Sequence, residues 1–463
     1  MAEYSLEPVD VKKVSTRFRS IQTRIPVPES LAIFESLEKS EPRSMMGMPP
    51  VVWDRAENFT IYDKWGNRWI DWSSCVLLAN AGHGREEIKT ALKEQIDQGL
   101  LATYVFVHEK RAKLTKALQD LSPDPANYEV FLLSTGSEAV ENCIKLAKTY
   151  ALERHGPDKK YIVSFENAFH GRTLGAQLAG GNPALKKWIG TLDPTFVQVP
   201  FPDGYQVTDT SFDLFRRSIE ALGLQATQIA GVLTESYQGG SAAFLPGTYA
   251  RDLEAFCRSH DIVTIYDEVQ AGFGRTGKMF CYEHYGVQPD LIACGKGISS
   301  SLPIAAVIGR ADIMDLYAPG SMTSTHSASP LCVAAALASL KIFQGEELVA
   351  NAARMGEILF SGLERIRNRY PSIFAVVHGK GLVAGIPIAD PKTGKPDGST
   401  ALKINTACYQ KGLLMFAPVG SNGECIKIAP PLSITSDALQ EGIQVFEEAV
   451  DEVLADTHLL SEL

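Results

Sequence analysis

Several features that this sequence lacks narrow what the chain can be. It has no Cys-x-x-Cys pair, although it carries eight cysteines: Cys75, Cys143, Cys257, Cys281, Cys294, Cys332, Cys408 and Cys425. Most of them stand singly among Ile, Leu, Val and Ala. Buried free thiols in a reducing cytoplasm are therefore expected, and a metal site is not. The opening Met1-Ala2-Glu3-Tyr4-Ser5-Leu6 has neither the basic start nor the apolar core of a secretory signal. No uninterrupted apolar stretch reaches membrane-spanning length, so a cytoplasmic location with no membrane partner is the expectation. Positive charge is in short supply: 44 Lys and Arg face 54 Asp and Glu, for a formal charge of -10. No run of lysines and arginines resembles a nucleic-acid arm, and no nucleic-acid partner is expected. Internal repeats and low-complexity linkers are missing as well.

What is present fits a soluble globular enzyme. The chain has 463 residues, 45% hydrophobic and 21% charged, with 38 glycines, which is enough to bury a large core and form more than one lobe. Phe59 to Asp63 and Arg68 to Trp72 flank a Lys64-Trp65-Gly66-Asn67 turn and predict a hairpin. Ile88, Leu92 and Ile96 recur every four residues and predict a helix from Glu86. The middle of the chain alternates short apolar strands with helices. Strands are predicted at 128–133, 161–165, 229–234, 262–266, 291–294 and 305–308. Helices are predicted at 138–152 and 249–259, and from Pro330 with Ser329 as its N-cap. Long helices come later, at 346–370 and 436–457. Apolar strands without polar alternation require a sheet covered by helices on both faces.

Polar residues concentrate where those strands end. One strand delivers Asp267 and Glu268 into the glycine-rich Val269-Gln270-Ala271-Gly272-Phe273-Gly274 loop, and open α/β sheets bind ligands at their carboxyl edges. Another, Leu291-Ile292-Ala293-Cys294, runs into Gly295-Lys296-Gly297. A lysine there, between two glycines, can offer its amine to a bulky planar group; a buried ion pair with Asp267 is the alternative. Ser134-Thr135-Gly136-Ser137-Glu138 lies where a strand gives way to a helix, so free N–H groups and hydroxyls form an anion cradle, unless Ser137 simply caps the helix. A phosphate seat, an activatable lysine and a buried carboxylate together meet the demands of pyridoxal phosphate.

With those residues in view, the sequence resembles the class III pyridoxal-phosphate aminotransferases, which act on ω-amino groups. Its landmarks run in order through Thr135-Gly136-Ser137-Glu138-Ala139, Phe169-His170-Gly171-Arg172-Thr173, Glu235-Ser236-Tyr237-Gln238-Gly239, Asp267-Glu268-Val269-Gln270, Gly274-Arg275-Thr276-Gly277, Lys296-Gly297 and Ala429-Pro430-Pro431-Leu432. The resemblance implies an α/β, fold-type-I enzyme. Its large domain, residues 76–345, would hold a mostly parallel seven-stranded sheet between helices. Residues 1–75 and 346–463 would form a small α+β domain from both chain ends. It implies that Lys296 forms the internal aldimine and then moves the proton, and that Asp267 pairs with the pyridine nitrogen. Gln270 would contact the 3′ oxygen, Phe169 would stack on the ring with His170 beside it, and Gly136 and Ser137 would hold the phosphate. Thr325 would reach the phosphate of a neighbouring subunit in a homodimer or tetramer.

The substrate side departs from the family pattern. Glu235 is kept, but the arginine that many relatives carry three residues before Pro430 is Lys427, which lacks the planar fork that grips a carboxylate. Arg172 remains a candidate carboxylate clamp, with a surface or interdomain ion pair as its alternative. Leu77 and Leu78 place apolar bulk at the expected pocket edge. Transfer of an amino group from an amino acid or ω-amine to a 2-oxo acid is the first expectation. A racemase or epimerase of the same family, using the same Lys296 and Asp267, is the alternative.

Overall fold

The apolar segments assemble into one seven-stranded sheet. Its strands are β1 (Tyr128–Leu133), β2 (Tyr161–Phe165), β3 (Phe196–Val199), β4 (Ile229–Glu235), β5 (Val263–Asp267), β6 (Leu291–Cys294) and β7 (Ala305–Arg310). They lie in the order β1-β7-β6-β5-β4-β2-β3. All pairings are parallel except those of β7, which runs against both neighbours. Every residue of β4 is buried, as a strand covered on both faces must be. Helix α1 (Gly136–His155) supplies part of that cover, with Val140, Cys143, Ile144 and Ala147 in one core with Ile162, Leu233, Ile265, Ala293 and Val307. A short helix, α2 (Leu174–Ala179), comes after β2.

A computed structural model describes residues 4–456. The chain forms two units, one of Glu86–Gly239 with Ala243–Ala350, the other of Met1–Arg85, Gly240–Ala242 and Asn351–Leu463. The seven-stranded sheet belongs to the first. In the second, Arg55–Glu57, Thr60–Tyr62 and Arg68–Asp71 form an antiparallel meander, joined on one side by Ser20–Ile21 and Val14–Ser15. Leu413–Leu414 pairs in parallel with Arg68–Asp71. A three-stranded sheet of His378–Lys380, Val383–Pro387 and Cys425–Ile428 and the helices Gly398–Gln410 and Ser436–Asp456 complete it. This is the fold-type-I α/β architecture.

Two local expectations are corrected, while most of the cysteines are buried and free as expected. Helix α1 starts at Gly136, earlier than Glu138, because its cap is Thr135 and not Ser137: Thr135 Oγ1 accepts from the Glu138 N–H at 3.2 Å, and Glu138 Oε2 accepts from the Thr135 N–H at 2.9 Å. Ser329 sits at the N-cap of Pro330–Gly345 but makes no side-chain capping bond. Six cysteines are buried and free, whereas Cys75 is exposed and Cys332 half-buried. The helix expected to end at Thr457 is seen to Asp456; Thr457 lies outside the described residues.

Candidate active site

Strands β4, β5 and β6 finish level with one another, Glu235 in register with Asp267 and Asp267 with Ala293. Parallel neighbours are about 4.8 Å apart, so the residues just beyond these three strands share one edge. Asp267 is buried there. Its Oδ2 lies 2.9 Å from His170 Nδ1 and its Oδ1 accepts from the Val269 N–H at 3.0 Å. A carboxylate can only accept, so with Asp267 ionised His170 carries its proton on Nδ1. His170 Nε2 is buried and has no hydrogen-bond partner among the described residues.

Glu235 ends β4 with both oxygens engaged, Oε2 by the Phe169 N–H at 3.0 Å and Oε1 by the Gly239 N–H at 2.8 Å. Burial pushes its carboxyl up to about 7; His170 opposes the rise and Asp267 adds to it. Lys296 lies just past β6, partly buried, in the left-handed region at φ 42°. Loss of hydration brings its amine down to about 8, against the pull of Asp267 and Glu235. An ammonium in that range yields neutral amine near physiological pH, which is what a nucleophilic lysine needs. Glu268, the next residue after Asp267, binds the Ser236 hydroxyl and the N–H groups of Cys281 and Tyr282, and so ties the turn that follows the glycine-rich loop to the end of the sheet.

The start of α1 meets this edge. The capping box leaves the N–H groups of Gly136 and Ser137 without a protein acceptor among the described residues. A Cβ on Gly136 would stand 2.7 Å from Val269 Cγ1, and one on Gly295 would stand 3.7 Å from the Gly136 Cα. The two glycines thus let the anion seat and the lysine turn approach closely. Gln270 and Glu235 flank Gly239, each with a polar atom 2.7 Å from where its Cβ would be.

Phe169 is 38% exposed, and the exposed Arg172 stands over its ring at 5.5 Å. No carboxylate pairs with Arg172 among the described residues. Thr325 is exposed, and no hydrogen bond joins it to this cluster among the described residues. Lys427, Leu77 and Leu78 belong to the other unit. There Lys427 is buried opposite Gly385 in the three-stranded sheet, Leu77 is buried and Leu78 half-buried, while Cys75 and Val76 are exposed. Sequence reasoning misses the His170–Asp267 bond, whose only trace in the sequence is the histidine beside Phe169.

Residues 42–450 match the family model described as aminotransferase class-III. The chain belongs to this family. It is similar to a probable 4-aminobutyrate aminotransferase of Bacillus subtilis, 33% identical over 85% of this chain and 91% of that protein. An isoleucine 2-epimerase of Lentilactobacillus buchneri is 32% identical, covering 86% and 89%. Among solved structures, an amine transaminase from an uncultivated Pseudomonas species, in its pyridoxal-phosphate-bound form, shares 28% identity over 89% of this chain and 96% of that one, with a TM-score of 0.80. Class-III aminotransferases depend on pyridoxal phosphate. In this family member the residues at the sheet edge fit that group: unpaired N–H donors for a phosphate, a buried carboxylate for the pyridine nitrogen and an amine of lowered basicity. No helix among the described residues is long and apolar enough to cross a membrane.

Proposed function

We propose that the chain binds pyridoxal phosphate and moves an amino group from an amino acid or ω-amine to a 2-oxo acid. The observation that carries this reading is the single edge where Lys296, Asp267 and Glu235 meet beside the unpaired N–H groups of Gly136 and Ser137. When bound, the cofactor supplies an electron sink for the carbanion formed at the substrate's α-carbon. Asp267 keeps the pyridine nitrogen protonated, and His170 holds that carboxylate in place. Lys296 would hold the cofactor through Nζ, and its amine is the group that would carry a proton to and from the substrate's α-carbon. Gly136 and Ser137 would hold the phosphate, Phe169 would stack on the ring and Gln270 would contact the 3′ oxygen. Arg172 receives a substrate carboxylate. Lysine at 427 favours a small acceptor such as pyruvate over 2-oxoglutarate, since an ammonium offers no bidentate grip. The working assembly is a homodimer, or a tetramer of two such dimers, with Thr325 reaching the neighbour's phosphate. The buried free thiols suit a reducing cytoplasm.

The test is an amine panel incubated with protein and cofactor, with pyruvate, with 2-oxoglutarate, or with no acceptor in deuterated water. Acceptor-dependent amine transfer is expected, and Lys296→Ala should abolish both turnover and the absorption band of the lysine-bound cofactor. The similarity to an isoleucine 2-epimerase and the lysine at 427 support a second reading. Deuterium entering the α-carbon with inversion, and no acceptor needed, would establish that one instead.

A further inference from the structure

The segment carrying Phe169, His170 and Arg172 is held by bonds that the proposed chemistry does not use. It leaves β2 through Asn167, in the left-handed region at φ 61°, and returns at Gly181. The Gly181 N–H donates to Ala168 O at 2.8 Å and the Asn167 N–H to Gly181 O at 3.2 Å, closing the base of a loop. Gly181 has no room for a Cβ, which would meet Phe165 O at 2.2 Å. Within the loop, α2 is capped from outside at both ends. At its C-terminus, Leu178 O accepts from Lys186 Nζ at 2.9 Å and from Gln198 Nε2 at 3.2 Å. At its N-terminus, Thr173 occupies the cap position but makes no capping bond with its own helix. Its hydroxyl donates instead to Glu141 Oε1 at 2.6 Å, and that same oxygen accepts from the N–H groups of Gly175 at 2.8 Å and Ala176 at 3.0 Å.

Glu141 therefore replaces a local cap with a carboxylate from another helix. It lies five residues into α1, about 7.5 Å along the axis from Gly136, on the same rigid rod as the phosphate seat. A negative charge at a helix N-terminus also suits the local dipole. The approach depends on Gly175, where a Cβ would stand 2.3 Å from Glu141 Oε2 and 3.0 Å from its Cδ. Gly175 does not have a positive φ, and alanine is the better helix former. Room for Glu141 is thus what the structure gains from glycine at this position.

We propose that Glu141 is a positioning residue for substrate recognition: by gripping Thr173, Gly175 and Ala176 it fixes the adjoining Arg172 and Phe169 relative to the phosphate seat. The inference rests on reading Arg172 as the residue that receives a substrate carboxylate. A cap that served only stability would move the melting temperature and leave discrimination between substrates unchanged.

The experiment compares 5-aminovalerate with 1-aminopentane, the same chain without its carboxylate, on Glu141→Ala, Glu141→Gln, Gly175→Ala and Arg172→Met holoenzymes. Glu141→Ala is expected to raise KM for the amino acid roughly tenfold and to leave kcat and the plain amine's KM within about twofold. Gly175→Ala should reproduce that split by expelling the carboxylate, and adding it to Glu141→Ala should have no further effect. Glu141→Gln keeps an acceptor oxygen and should recover part of the loss. In cofactor-free protein, amide exchange at Gly175 and Ala176 should accelerate in Glu141→Ala. If Arg172→Met separates the two substrates and Glu141→Ala does not, the proposal fails and the Arg172 reading survives. If Arg172→Met affects both substrates equally, the Arg172 reading fails and takes the proposal with it. Unchanged amide exchange would show that Glu141 does not hold the segment.

Discussion

At the scale of single residues, the electrostatics of Lys296 give a sign that can be measured without substrate. Its amine falls from 10.5 to about 8 in the fold because burial penalises the ammonium more than Asp267 and Glu235 reward it. A folded-state value below the unfolded one means that the stability tied to neutral Lys296 is present above pH 10.5 and is lost as pH falls through about 8. Cofactor-free Lys296→Met should therefore be more stable than the parent at neutral pH, with the gap closing as pH rises from about 8 to 10.5. Denaturant midpoints across that range check it; a gap independent of pH would show that the lysine is not desolvated. Lys296 and Asp267 were legible in the sequence because each ends a short apolar strand, and few other residue types are so out of place there. The left-handed turn of Ser74, Cys75, Val76 and Leu77, at φ 47°, 52°, 59° and 62°, was not. Such backbone costs about 1–2 kcal/mol per residue, and nothing in Ser-Cys-Val-Leu asks for it. Contacts from distant residues hold it, including Ser74 Oγ donating to Ala429 O at 2.6 Å.

Elements separate two jobs that neighbouring residues in the α1 start were expected to share. Thr135 closes the capping box and Ser137 takes no part in it. Thr135→Ala should lower unfolding free energy by about 1 kcal/mol. Ser137→Ala should stay within about 0.5 kcal/mol of the parent in stability and show its effect as faster cofactor loss on dialysis. Equal destabilisation by both would return Ser137 to a capping role. The sequence disclosed the central strands because both faces are buried and their apolar runs are unbroken. It did not disclose β3, whose four residues Phe196-Val197-Gln198-Val199 lie at the sheet edge, mostly half-buried and with Gln198 turned to polar partners. Nor did it show Val14–Ser15 and Ser20–Ile21, since strands of two residues carry no period. The antiparallel course of β7 is likewise a matter of topology: its residues would suit either direction.

For the whole molecule, the open question is what covers the stretch from Leu100 to Val107. Leu100, Leu101, Tyr104, Val105, Phe106 and Val107 are all exposed, the last two at 76% and 89%. A run of large apolar side chains in water marks a surface made to be covered. It is tied to the loop bearing Thr325, Tyr104 Oη lying 2.8 Å from Thr323 Oγ1 and His108 Nε2 3.0 Å from Ala328 O. In the proposed homodimer, burying this stretch against a second copy would carry Thr325 to the neighbour's phosphate. Assembly and cofactor retention should then be linked in one direction only. Phe106→Glu combined with Val107→Glu puts charge into the contact, and sedimentation should shift to monomer while the cofactor dissociates faster. If Thr325 has the proposed role, Thr325→Val would remove one hydroxyl from the neighbour's phosphate seat and leave the contact intact, so mass should hold while cofactor loss accelerates. A double-glutamate variant that stays assembled, or a monomer that keeps its cofactor as tightly as the parent, would separate this surface from the site and leave Thr325 without the role proposed for it.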